Sequence, residues 1–177
     1  MTTFAAGEKA SFAATSDGTL WAWGANGAGQ LGMATPTSRS VPFRVPNLTG
    51  VSAIATANAS NLALLQDGSV WTWGENNAGQ LGDGTQVDRS TPWSVEGLAP
   101  ARAVAAGETH NLAVKSDGTV WAWGDNSHGQ LGRGNHDGLT HAVPSQVTNL
   151  TGAVAVAARG GAQPGPQGRW DPLGLGQ

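Results

Sequence analysis

The sequence predicts an all-β fold of the β-propeller type: three blades of about fifty residues, each of about four antiparallel strands, followed by an unstructured tail. Three observations lead there. Asp17-Gly18, Asp67-Gly68 and Asp117-Gly118 recur every 50 residues, and Trp21, Trp71 and Trp121 keep the same spacing. So do Trp23, Trp73 and Trp123, and the Gly-Gln-Leu-Gly tetrads at 29–32, 79–82 and 129–132. Fixed-period self-similarity is the signature of a repeat architecture. Second, Gly supplies 27 of 177 residues while charged residues make up only 12%, against a typical ~25%. That balance argues against coiled coils and long-helix bundles. Third, each Asp-Gly lies between apolar runs, a strong short-range hairpin signal.

The repeat units run near 6–55, 56–105 and 106–157, within a repeat region 1–158. The third carries about two extra residues before Pro144, compared with Pro42 and Pro92. The hairpin opens each unit. A two-residue Asp-Gly loop sets Leu65 opposite Val70, Leu64 opposite Trp71 and Leu62 opposite Trp73. Side chains alternate across a strand, so this pairing predicts one face with Leu62, Leu64, Trp71 and Trp73 and another with Ala63, Leu65, Val70 and Thr72. The other copies place Phe12, Ala14, Trp21 and Trp23, and Leu112, Val114, Trp121 and Trp123, on the bulky face. A sheet with one wet face would alternate apolar with polar. Two apolar faces mean a sheet sandwiched between neighbours, as in a propeller.

Next comes the tetrad loop, whose Leu31, Leu81 and Leu131 plug the blade. A second strand pair is expected near Phe43–Val45 with Val51–Ala55, Trp93–Val95 with Ala101–Ala105, and Gln146–Val147 with Ala153–Ala157. Residues 159–177 hold six Gly and three Pro, which fits neither ladder nor helix. They read as a disordered tail.

The stretch Ala105–Gly132 resembles the regulator-of-chromosome-condensation repeat. The match rests on Ala106-Gly107, His110, the Asp117-Gly118 turn, Trp123-Gly124, Asn126 and Gly129-Gln130-Leu131-Gly132. Other copies drift: Ala57 replaces the glycine, and Ala10 and Ser60 stand at the histidine position. A WD40 array would show Gly-His and Trp-Asp at a shorter period. The resemblance implies a propeller, usually of seven four-stranded blades. It also implies a range of roles: guanine-nucleotide exchange on a small GTPase, docking within larger signalling proteins, light sensing through interfacial Trp, or inhibition of β-lactamase. Fold alone selects none of these. Three units are fewer than seven, so the expectations include a fragment of a larger propeller without independent activity, or a homo-oligomer that closes a six-bladed ring from two copies.

Function classes narrow by chemistry. The nine Lys+Arg are scattered and the net charge is −3, unlike the clustered cations that displace phosphate counterions; no nucleic-acid partner is expected. There is no Cys, so thiolate catalysis and Cys zinc sites are excluded. No Gly-x-Ser-x-Gly elbow, phosphate loop or His-Glu-x-x-His occurs; no enzyme, catalytic residue, cofactor or metal is expected. The longest apolar run, Ala153–Ala158, is too short to span a bilayer. With neither a basic nor a long apolar N-terminal segment, the chain reads as soluble and, by default, cytoplasmic, with no membrane partner.

Trp21, Trp23, Trp71, Trp73, Trp121 and Trp123 read as structural core, because every copy has them at one hairpin position. Asp17, Asp67 and Asp117 read as turn caps. Asn26, Asn76 and Asn126 read as ligands of loop backbone, and His110 as a structural histidine. His128, His136, Asp137 and His141 gather on the third loop at a spacing that matches no closed metal site. The loops Met33–Arg39, Asp83–Arg89 and Arg133–His141 follow each tetrad and differ among copies. Variable loops on a constant scaffold are where binding concentrates. Thr35, Arg39, Asp83, Arg89, Arg133, His136, Asp137 and His141 are therefore the candidate partner-binding residues. Trp93, outside the core pattern and next to Pro92, reads either as simple packing or as a partner anchor that joins them. The expected function is a non-enzymatic scaffold for a protein partner, with nucleotide exchange as the alternative.

Overall fold

A computed structural model describes residues 3–158; the tail expected at 159–177 lies outside them. Twelve strands form three four-stranded antiparallel sheets. The first sheet holds β1 Thr3–Ala6, β2 Ala10–Ala14, β3 Leu20–Gly24 and β4 Arg39–Arg44. The second holds β5 Val51–Ala57, β6 Ser60–Leu65, β7 Val70–Gly74 and β8 Arg89–Ser94. The third holds β9 Ala101–Ala106, β10 His110–Lys115, β11 Val120–Asp125 and β12 Thr140–Gln146. Within each sheet the strands lie in chain order, the meander of a propeller blade. The described residues thus form three blades of an open, partial propeller. No helix among them is long and apolar enough to cross a membrane.

The hairpin register differs from the expected one by a residue. Leu64 faces Val70, Leu62 faces Thr72, Ala63 faces Trp71 and Asn61 faces Trp73. The cause is the turn. The Leu65 carbonyl accepts from Gly68 N–H at 3.0 Å, and Leu65 N–H donates to Ser69 O at 3.0 Å. The loop is therefore the three residues Gln66, Asp67 and Gly68. Only Gly68, at φ 81°, is left-handed. This is a type I turn closed by a glycine bulge, not the two-residue loop. A one-residue slip moves every side chain to the other face. Trp71 and Trp73 therefore share a face with Ala63, and Leu62 and Leu64 share the opposite one with Val70 and Thr72. The Asp caps stand as expected: Asp67 Oδ1 accepts from Ser69 N–H at 2.9 Å, Asp17 from Thr19 N–H at 3.0 Å and Asp117 from Thr119 N–H at 2.9 Å.

The expected second strand pair does not form. Val51–Ala57 opens the next sheet, pairing with β6, while β4 pairs with β3. Ala101–Ala106 likewise belongs to the third sheet. The sequence repeat and the blade are out of phase by one strand. Ala153–Ala157 is not a strand, although Ala153 N–H bonds Gly118 O at 3.1 Å as Ala101 N–H bonds Gly68 O at 2.8 Å.

The core lies between blades. One cluster joins Phe12, Leu20, Leu31, Val45 and Leu48 of the first blade to Val51, Ile54, Ala63 and Trp73 of the second. The other joins Leu62, Leu64, Val70, Val95 and Leu98 of the second blade to Ala101, Ala113 and Trp123 of the third. Each blade sends its Trp-bearing face backward and its Leu/Val face forward. Trp73 and Trp123 are buried, whereas Trp21, Trp23, Trp71 and Trp121 are half-buried.

Both junctions carry the same polar lock. Trp73 Nε1–H donates to the Gln30 carbonyl at 2.9 Å, and Asn61 Nδ2 donates to the same oxygen at 2.8 Å. One blade on, Trp123 and Asn111 bond the Gln80 carbonyl at 2.8 and 2.6 Å. The tetrad loop is shaped to receive them, since the indole of Trp123 lies against Gly82. The outer faces of the array lack this cover among the described residues. Leu48 and Leu98 are buried by the following blade, but their counterpart Leu150 is 45% exposed; Ile54 is buried, but its counterpart Phe4 is 84% exposed.

Gly82 and Gly50 share φ +71°, yet a Cβ on Gly82 would meet Trp123 Nε1 at 2.9 Å while one on Gly50 would meet nothing within 4 Å. Both alanine variants should incur a left-handed backbone cost of about 1–2 kcal/mol. Gly82→Ala should lose a further 1–3 kcal/mol or so by displacing the indole. Urea unfolding of the two variants checks this; equal midpoints would contradict the lock.

Candidate protein-interaction surface

Each variable loop is held by a buried asparagine. Asn76 Oδ1 accepts from Leu81 N–H at 2.9 Å, while its Nδ2 donates to the Thr85 and Val87 carbonyls at 3.1 Å. Asn26 does the same with Leu31 N–H at 2.8 Å and the Thr35 carbonyl at 2.6 Å. Asn126 bonds Leu131 N–H at 3.3 Å and the Asn135 carbonyl at 3.2 Å. The amide thus ties the tetrad to a carbonyl nine residues beyond it. Leu31, Leu81 and Leu131 are buried beneath, as expected. The tetrad glutamine braces its own loop, with Gln80 Oε1 accepting from Ala78 N–H at 2.9 Å.

On that frame the three loops present different chemistry. In the first, Thr35 and Arg39 are exposed, and the Arg39 guanidinium lies 5.3 Å from the Phe43 ring centre. In the second, Arg89 Nε bonds Asp83 Oδ2 at 2.5 Å and its guanidinium lies 4.2 Å from the centre of the Trp93 ring. Asp83 also accepts from Thr85 N–H at 3.0 Å and Thr85 Oγ1 at 2.8 Å. Burial pushes the Asp83 carboxyl up, but the hydrogen bonds from Arg89 and Thr85 outweigh it and hold it below the usual value. In the third loop, Arg133 Nη1 donates to Ser145 Oγ at 2.9 Å, and His141 Nε2 lies 3.0 Å from Asp137 Oδ1. That contact is the main cause of the lowered Asp137 pKa. His136 is exposed. His128 bonds Ser127 instead, at 2.9 Å, so the histidines do not converge.

His110 packs against Gly107, and burial lowers its pKa, partly offset by Asp125. Burial in the blade thus favours its neutral imidazole form.

Asp83 and Trp93 meet at a groove of about 270 Å³ between the second and third blades, also lined by Gly84, Glu96, Val143 and Pro144. Sequence reasoning did not find Glu96 or Val143. They come from a neighbouring turn and from the next blade, which only the stacking of β12 beside the second loop brings together. Gly84 N–H seals that junction by bonding the Ala142 carbonyl at 2.9 Å.

Interlocked meander blades with a constant loop frame define a propeller-repeat protein. The Regulator of chromosome condensation (RCC1) repeat matches residues 17–64, 67–114 and 117–163, and a second profile of the same description matches 2–30, 51–80 and 101–130. The chain belongs to this repeat family. Among solved structures it is similar to Prp20p from Saccharomyces cerevisiae, a protein studied for its binding properties to Gsp1p and histones. That likeness has 26% identity and a TM-score of 0.72 over 82% of this chain and 38% of that one. Human WBSCR16 is 29% identical, with a TM-score of 0.70 over 81% of this chain and 36% of that one. Yeast RCC1 (Prp20) bound to Kap60 shares the fold at 22% identity, with a TM-score of 0.74 over 89% of this chain and 39% of that one. The chain therefore spans less than two fifths of the length of these relatives. No curated protein sequence matches it.

Asp83→Asn should lower stability by about 1–3 kcal/mol at neutral pH through the lost ion pair. A depressed folded-state pKa contributes stability above the ordinary carboxylate pKa and loses it as pH falls through the folded value. The gap between wild type and variant should accordingly begin to narrow below about pH 4 and keep narrowing as the pH falls. Thermal melts from pH 7 to 3 check this; a constant gap would show that the Asp83 charge contributes nothing.

Proposed function

We propose that this chain is a non-enzymatic protein-interaction scaffold whose partner contacts are the loops 33–39, 83–89 and 133–141. The observation that carries the reading is the asparagine clamp. One constant amide in each blade fixes the base of a loop whose exposed residues differ from its neighbours. Prp20p, a relative of the same repeat family, has binding properties toward two kinds of protein, Gsp1p and histones. That supports protein partners as a class. Nucleotide exchange on a GTPase is the narrower alternative.

A second reading concerns self-assembly. The first blade offers Trp23 at the donor position of the lock, and the third offers Gln130 at the acceptor position. The apolar Phe4 and Leu150 stand on the same open faces. Two copies docked through these faces would place six blades in one ring.

Exchanging the tip of the second loop for that of the first (Gln86→Pro, Val87→Thr), with Asp88 kept because its Oδ1 accepts from Asn76 N–H at 2.8 Å, should leave the unfolding free energy within about 0.5 kcal/mol. It should weaken partner capture at least tenfold and move partner cross-links off residues 83–89. Loss of folding alongside binding, or capture unchanged when all three tips are exchanged, overturns the scaffold reading. GDP release from a bound GTPase accelerated by the chain would favour the exchange alternative instead.

A further inference from the structure

The groove between the second and third blades has a chemistry of its own. One face of the Trp93 ring is occupied by Arg89, whose charge is already matched by Asp83. Trp93 nevertheless remains 45% exposed. Across the groove stand Val143, itself well exposed, and Pro144. Glu96 completes the lining, is exposed, and has no ion-pair partner among the described residues. The groove thus combines an apolar wall, an aromatic ring and one uncompensated carboxylate. Its volume of about 270 Å³ falls just under the roughly 300–1,000 Å³ of small-molecule pockets. It is sized for one side chain.

We propose that this groove receives a lysine or arginine side chain of a partner protein. The argument is charge complementarity joined to shape. A basic side chain has an apolar stem and a charged head, and it buries the first while keeping the second with polar groups. Here the stem lies along Val143 and Pro144, and the head reaches Glu96 and the Trp93 ring. Cations are attracted to the face of an indole. An acidic side chain would meet Glu96 as a like charge, and a purely apolar one would leave that carboxylate without a counter-ion. The Asp83–Arg89 pair positions the groove by holding the Trp93 ring. The inference rests on the scaffold reading and adds the chemistry of one contact.

The test is an NMR titration of the full chain with blocked pentapeptides of sequence Gly-Ala-X-Ala-Gly, X being lysine, arginine, norleucine or glutamate. Lysine and arginine peptides should give saturable shifts at the Trp93 indole and the Gly84 amide. Norleucine and glutamate should bind at least tenfold more weakly. E96Q should cost the lysine peptide about tenfold, and E96K should abolish its binding. Because Glu96 is exposed, an unchanged Trp73 indole signal certifies the fold of both variants. Equal binding of lysine and norleucine, full binding by E96Q, or no saturation with any peptide overturns the proposal. Loop exchange that abolishes partner capture while the peptides leave Trp93 unmoved refutes the groove and leaves the scaffold standing. Peptide binding at Trp93 with capture indifferent to the loops does the reverse.

Discussion

Everything in this molecule depends on one backbone oxygen per junction. The carbonyl of the tetrad glutamine turns toward the next blade and accepts two hydrogen bonds, from a tryptophan indole and an asparagine amide. A buried carbonyl left unpaired is costly, while each bond made contributes about 1 kcal/mol net. Because the indole also fills the apolar space between blades, one side chain supplies burial and orientation together. The edge-on contact of Phe12 with Trp73, at 6.1 Å between ring centres, shows how the apolar and polar parts converge at the first junction. Asn61 and Asn111 each leave Oδ1 without a hydrogen-bond partner among the described residues. At both junctions the contact the amide makes across the blades is through its donor.

The surface inherits its order from this arrangement. The tetrad that offers its carbonyl to the next blade is tied by the same loop's asparagine to the variable segment. Blade stacking and loop presentation are therefore one mechanical unit. A loop can change many of its exposed residues without disturbing the junction, because the anchors common to all three are backbone groups, the tetrad leucine N–H and the carbonyl nine residues past the asparagine. The groove at Trp93 follows as well: the second loop reaches β12 of the third blade through the Gly84–Ala142 bond, and two surfaces that are distant in sequence become walls of one site.

Much of this is legible in the sequence. The fifty-residue period, the Asp turn caps, the buried tetrad leucines and the loop-binding asparagines follow from local chemistry repeated three times. What failed was register. Asp-Gly fits both a two-residue loop and the end of a three-residue one, and the two differ by one position, which moves Trp71 and Leu64 from one shared face to opposite faces. Strand phase failed at a second turn: Val51–Ala57 follows β4 by six residues but precedes β6 by only two, and the tight turn at Asn58-Ala59, with Asn58 at φ 53°, folds it forward onto β6. The lock itself was hidden because its acceptor is a main-chain oxygen, which carries no residue signature. Asn61 and Asn111, each twelve residues before the locking tryptophan, were the available signal.

The most direct measurement of the central claim is hydrogen exchange at the indole nitrogens of the intact chain, resolved by NMR. The account predicts slow exchange at Trp73 and Trp123, whose Nε1–H groups are buried on the glutamine carbonyls, and fast exchange at the surface indole of Trp93. Exchange at Trp73 and Trp123 as fast as at Trp93 would mean that the blades are not locked, and the account would fall with them.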